Sequence, residues 1–310
     1  MTDSWRQQIL LFRIAVYGGF ALSSLAVLNG QTAGSAKPSG PKQVTRVMQD
    51  APCYSPDGKS IVYVNDDDGP PANIYVMDAD GRHPRRLTKH PQNDDGPIWS
   101  PDGSMIAFET ELREDLAELF VMSADGSNLR QATHDGALAV HPSWSRDGTR
   151  LMYTSTRDSK DQKNPEIWET YTIKLDGTDQ KRVTSDDGIN TYASYSPDGS
   201  KILFRKKIDG GKNSEVFVMN ADGTHMVNLT RHPAYDRFPS WSPDGKKIVF
   251  ESNRDGHSQL YVMDADGTNL RLLVDGPGNL SAPRFSPDGI KLIYPREFEG
   301  EVKVFTVDAQ

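Results

Sequence analysis

Seven histidines are the residues most able to carry acid, base or metal chemistry here: His83, His90, His134, His141, His225, His232 and His257. None begins an H-E-x-x-H helix, so the spacing that holds a hydrolytic zinc is missing. His90-Pro91 and His232-Pro233 stand in matching surroundings after a Leu-Thr pair, with His134 close to the equivalent place. They read as parts of a repeated loop, whereas His141 has no counterpart. No G-x-S-x-G elbow presents a nucleophilic serine. Asp78-Ala79-Asp80-Gly81 and Asp264-Ala265-Asp266-Gly267 begin like calcium loops, but the third aspartate and distal glutamate are missing. The lone Cys53 excludes an intrachain disulfide and a cysteine metal cluster, and it reads as a small packed residue. The expectation is no catalytic residue, no metal and no cofactor.

The elements that position these residues are repeats. An aromatic residue followed by Ser-Pro-Asp-Gly recurs at Ser55, Ser100, Ser145, Ser196, Ser242 and Ser286, the third copy reading Ser145-Arg146-Asp147-Gly148. The intervals are 45, 45, 51, 46 and 44 residues. Proline, aspartate and glycine in that order make a tight turn between strands. After each turn comes an alternating run such as Lys246 to Glu251, then one such as Leu260 to Met263 ending in a second glycine turn, then a short run such as Leu229-Thr230. Four strands per repeat of this length define an all-β, six-bladed β-propeller of four-stranded antiparallel blades. The sixth repeat lacks its fourth run. Gln43-Val44-Thr45-Arg46 has that run's pattern, so the N-terminal strand should close the last blade, with Val44-Thr45 paired to Val302 to Val307. The long third interval comes from Arg157 to Pro165, a charged surface loop.

In such blades the Ser-Pro-Asp-Gly and second glycine turns share one face, and the variable connections share the other. Asp66, Asp67, Asp68, Asp94, Asp95, Glu109, Glu111, Glu114 and Asp115 load that second face with acid in blades one and two. Arg205, Lys206, Lys207 and Lys212 load it with base in blade four. Nearest the channel mouth come Asp95, His141, Asn190, Tyr192, Asp236 and Arg237, the candidate partner-binding residues. Tyrosine and arginine commonly anchor interfaces, and the carboxylates suit a basic group.

Of the 310 residues, 35 are Lys or Arg and 43 Asp or Glu, and a net charge of −8 argues against a nucleic-acid partner. Arg6 and Arg13 precede an apolar or small-residue run from Ile14 to Leu28, and Gly34-Ser35-Ala36 offers a cleavage position. Residues 1–36 therefore read as a signal peptide, or else an anchor, with the mature chain beginning near Lys37. Residues 37–42 read as linker and 43–310 as the propeller. Either way the propeller is exported, periplasmic or secreted, and any membrane contact is through that segment alone.

The aromatic-S-P-D-G turn, the Val-Met-Asp-Ala-Asp-Gly turn and the Leu-Thr run together resemble the WD40-like propeller repeats of the TolB family, over about residues 42 to 310. The resemblance implies a periplasmic, non-enzymatic, monomeric ring whose channel mouth holds a protein or peptide, such as an envelope lipoprotein. The family's namesake carries an α/β domain before its propeller. About 41 residues stand there in this sequence, so that domain is expected to be absent. Similar repeats occur in oligogalacturonate lyases. The alternative is accordingly a carbohydrate-active enzyme, such as a metal-dependent lyase with its site in the channel.

Overall fold

The computed structural model describes residues 41–43, 49–66 and 69–309. Six antiparallel sheets follow the six repeats. In the second repeat the strands are Asn93–Trp99, Met105–Arg113, Leu116–Ser123 and Arg130–Gln131, paired in that order. Successive first strands contact one another around the axis, so the first strand of each blade is innermost. Alternate side chains of neighbouring blades meet in apolar clusters. One cluster joins Val62, Ile74 and Val76 of blade one to Ile106, Phe108 and Met122 of blade two. The Arg157 to Pro165 connection lies outside the sheet and is held by Gln162, whose Nε2 donates to the carbonyls of Thr156 and Ser159 at 2.9 and 2.7 Å.

The turn residues do local work first. Ser55 Oγ donates to Asp57 Oδ1 at 2.6 Å and accepts the Ser60 N–H at 2.9 Å, and every copy repeats this pair, the proline-less third included. Asp102 and its equivalents accept from the serine hydroxyl and a backbone N–H, which holds their carboxyls below the usual range. In the second turns the aspartates are spent likewise, Asp266 Oδ1 accepting the N–H and hydroxyl of Thr268.

The same residues then join blades. A Cβ built on Gly103 would lie 3.6 Å from Pro56 Cδ, and one on Gly148 3.7 Å from Pro101. Gly245 meets Pro197, Gly289 meets Pro243 and Gly58 meets Pro287 in the same way. The exception is Gly199, which faces nothing within 4 Å because Arg146 replaces the proline of the blade before it. In the second turns a Cβ on Gly267 would stand 3.1 Å from the Leu229 carbonyl oxygen, and one on Gly223 3.2 Å from that of Val183. At those separations a side chain would push blades apart.

The fourth strands begin earlier than the Leu-Thr pairs, at Arg85–Arg86 in blade one and Val227–Asn228 in blade four. The pair extends the strand by substitution. The Leu87 N–H donates to the Ile74 carbonyl, while Thr88 Oγ1 accepts the Ile74 N–H, standing in for a backbone oxygen. Leu119 with Thr133, Thr170 with Thr184 and Val216 with Thr230 repeat the substitution.

The last blade is closed from the N-terminal side by Lys42–Gln43, with Lys42 opposite Thr306 and Gln43 opposite Phe305. Val44 and Thr45, the expected pairing residues, lie outside the described residues. Arg146→Pro should complete the proline–glycine ring and stiffen the unfolded chain, raising stability by roughly 0.5–1 kcal/mol. A rise in the urea midpoint with an unchanged slope is the expected measurement.

Candidate functional site

Each innermost strand breaks register at one place, between Asp50 and Cys53, Asp95 and Ile98, Val140 and Ser143, Thr191 and Ser194, and Arg237 and Ser240. In blade six the strand is divided there, into Asn279–Leu280 and Arg284–Phe285. The residue at the break lies four positions before the turn serine: Ala51, Gly96, His141, Tyr192, Phe238 and Ala282. All six have positive φ, from 40° at Ala282 to 57° at Gly96 and Tyr192. All six are partly exposed. A bulge that aims a side chain out of the ladder explains both facts. Bulky residues in this conformation are strained, and such strain gathers at binding sites.

The occupants are unequal. Blades three, four and five supply three rings in contact across the blade boundaries and tilted to one another, His141 against Tyr192 at 3.9 Å between centroids and 39° and Tyr192 against Phe238 at 4.5 Å and 51°. Blades six, one and two supply Ala282, Ala51 and Gly96. Half of the ring is filled by aromatics and half is left narrow-walled.

Behind this layer the second strands contribute Val64, Glu109, Thr154, Arg205, Glu251 and Pro295, all buried. The three charges among them are treated differently. Glu251 Oε1 accepts from Arg237 Nη2 at 2.8 Å and from Ser258 Oγ at 2.7 Å. Glu109 Oε2 accepts the His141 N–H at 2.5 Å, and the missing side chain of Gly96 leaves its carboxyl room. Burial first, then the Asp95 charge, push the Glu109 carboxyl up to about 8. Burial also lowers His141 to about 3, helped by Arg205. Arg205 is 1% exposed, its Nε and Nη1 have no hydrogen-bond partner, and its guanidinium carbon lies 5.7 Å from the Tyr192 ring centre.

Of the six residues expected at the mouth, His141, Tyr192 and Arg237 come together, and Asp95 stands beside Glu109 within reach of its charge. Asn190 and Asp236 are fully buried beneath them. Asn190 Nδ2 donates to Asp186 and Glu169 at 2.7 and 3.1 Å, and Asp236 accepts from Arg254 at 3.2 Å. Their carboxyl and amide groups tie down connections. Phe238, Arg205, Glu109 and Glu251 belong to the site as well. The four-residue offset from each turn serine would have found Phe238. Asp94, Glu109 and Arg205, read as charges on the loop face, are buried. His90 sits 3.3 Å from Asp94, and the His232 N–H donates to Glu215 at 2.9 Å. Among the described residues no three His, Cys, Asp or Glu side chains are placed to hold a metal ion.

The sequence profile described as the TolB beta propeller domain matches residues 36–114 and 206–310, more than half of the chain. The chain belongs to this family. Among solved structures it is similar to the TolB-assigned protein of Agrobacterium tumefaciens, at 22% identity and a TM-score of 0.67, over 86% of this chain and 96% of that one. It is similar also to TolB from Acinetobacter baumannii, at 22% identity and a TM-score of 0.68 over 82% of this chain, spanning 64% of that protein's length. An oligogalacturonate lyase in complex with manganese shares the fold at 16% identity and a TM-score of 0.60, over 90% and 96% of the two chains. No curated protein matches.

Two outcomes follow from the buried charges. Arg237→Ala strands the Glu251 carboxylate and should cost about 3–5 kcal/mol, while Arg237→Met with Glu251→Leu should restore most of it, read from denaturant midpoints. Glu109 holds its proton to higher pH folded than unfolded, so its contribution is full below its unfolded value of 4.5 and is lost as pH rises through about 8. Relative to the parent, Glu109→Gln should therefore gain stability across that window, by up to about 1.4 kcal/mol per pH unit.

Proposed function

We propose that this chain is an exported, non-enzymatic binding module that holds an extended protein or peptide segment at the loop face and channel mouth. The aromatic half-ring of His141, Tyr192 and Phe238, set against Ala282, Ala51 and Gly96, carries the proposal. Rings held in mutual contact give a partner an apolar surface at low cost in conformational entropy, and the small-residue half leaves width for a main chain. Membership in the TolB family supports the same reading, with an envelope lipoprotein as the kind of partner and a monomer as the working state. Export is supported by Arg6, Arg13 and the apolar run to Leu28, residues outside the described ones. No helix among the described residues is long and apolar enough to cross a membrane.

The test is capture of partners from the native envelope by the purified propeller, identified by mass spectrometry. Tyr192→Ala should weaken the captured partner at least about tenfold, roughly 1.4 kcal/mol. The same spectra of the native protein should show its N-terminus near Lys37. Capture unchanged by Tyr192→Ala but lost on altering the Ser-Pro-Asp-Gly face would place binding on the opposite side. Manganese-dependent cleavage of oligogalacturonate by the purified protein would replace this reading with the lyase one.

A further inference from the structure

Among the described residues Arg205 is a buried charge with an aromatic ring beside it and no ion pair. Its side chain is almost wholly buried, and among the described residues Nε and Nη1 have no hydrogen-bond partner and no carboxylate forms an ion pair with it. The acid whose charge reaches it most is Glu251, already bonded to Arg237 and Ser258. Arg237 and Lys207 add positive charge beside it, and Lys207 feels both arginines. Asp95 and Glu109 stand two blades away, Glu109 bonded to the His141 N–H of the blade between and close enough for its charge to reach Tyr192. A buried guanidinium with free donors is costly unless something supplies acceptors, and its planar fork matches a carboxylate with two parallel bonds.

We infer that Arg205 receives a carboxylate of the bound segment, which enters along the half of the ring lined by Ala51, Gly96 and Ala282. This rests on the peptide-binding reading above and adds the chemistry of what is bound: an acidic segment with either a side-chain or a terminal carboxylate. The Tyr192 ring lies over the guanidinium and is partly exposed, so the anion arrives as that ring swings aside. Lys207 is partly exposed and draws the anion inward. Phosphate offers acceptors to the same planar fork, so it enters the test as the rival ligand.

Three N-terminally capped peptides, alike but for one residue and the C-terminal group, separate the sources: one with a glutamate and an amidated C-terminus, one with glutamine there and a free C-terminus, and one with glutamine and an amide. At concentrations about tenfold above a millimolar dissociation constant, a carboxylate peptide should raise the melting temperature of the full chain, and the neutral one should not. Arg205→Met should melt higher than the parent without ligand, because an unpaired buried charge is gone, and should bind the carboxylate peptide at least about tenfold more weakly. Arg205→Lys keeps the charge without the fork and should fall between them; it serves as the variant should the methionine one not fold. Tyr192→Ala should still bind the small probe while losing the envelope partner. A parent unmoved by both carboxylates, an Arg205→Met protein that binds them as well as the parent, or inorganic phosphate that stabilises as strongly as either peptide overturns the inference. If Arg205→Met still captures the partner that Tyr192→Ala loses, the binding module stands and its carboxylate specificity falls.

Discussion

Everything in this ring depends on how closely one blade can lie on the next. Six wedges must sum to a full turn, and the distance between them is set where a glycine of one blade meets a proline ring or a carbonyl oxygen of its neighbour. A Cβ at Gly267 would come within 3.1 Å of the Leu229 carbonyl oxygen, a contact tight enough that the neighbouring backbone would have to give by a few tenths of an ångström. The apolar clusters between sheets, such as Ala107, Leu119 and Val121 with Leu151 and Tyr153, are packed at the spacing those contacts permit. Thr88, Thr133, Thr184 and Thr230 serve the same end in blades one to four, because a side-chain oxygen extends the outer-edge pairing without lengthening the strand.

A scaffold fixed at its turns releases other positions from structural duty. The bulge four residues before each turn serine is one, and there the six copies hold Ala, Gly, His, Tyr, Phe and Ala. The position is defined by the fold while its side chain is not. The partner position on the second strand holds Val, Glu, Thr, Arg, Glu and Pro, all buried, so burial there selects no polarity. Blades three to five have used the freedom to build an aromatic wall with positive charge behind it. Blades six, one and two have used it to leave space beside Asp95 and Glu109.

The repeat, the turns, the blade count and the closure of the last blade from the N-terminal side were legible in the sequence, because periodicity and turn chemistry act locally. His141 was legible as a departure from the repeat, and Tyr192 by its place near the channel mouth and its residue type. Phe238 was not, since in Arg237-Phe238-Pro239 an apolar residue reads as an ordinary alternating strand position until the bulge turns it toward the axis. Arg205 and Glu109 read as solvent-facing charges at strand ends, and it takes neighbouring blades to bury them. Asn190 and Asp236 were legible as mouth residues by position alone, whereas their bonds to Asp186, Glu169 and Arg254 come from connections brought close in space.

Closure pairs Lys42–Gln43 with Glu301–Asp308, segments from nearly opposite ends of the described residues. Each of the other five blades can form from consecutive residues, so the chain can make most of its structure as successive hairpins. The last pairing has to wait for the longest loop in the molecule to close, the slow kind of step in a topology of distant contacts. Until then the outer edge of Glu301–Asp308 carries backbone groups without a strand partner. Closing the ring is therefore a separate step from making its blades, because the two segments that meet are far apart in sequence.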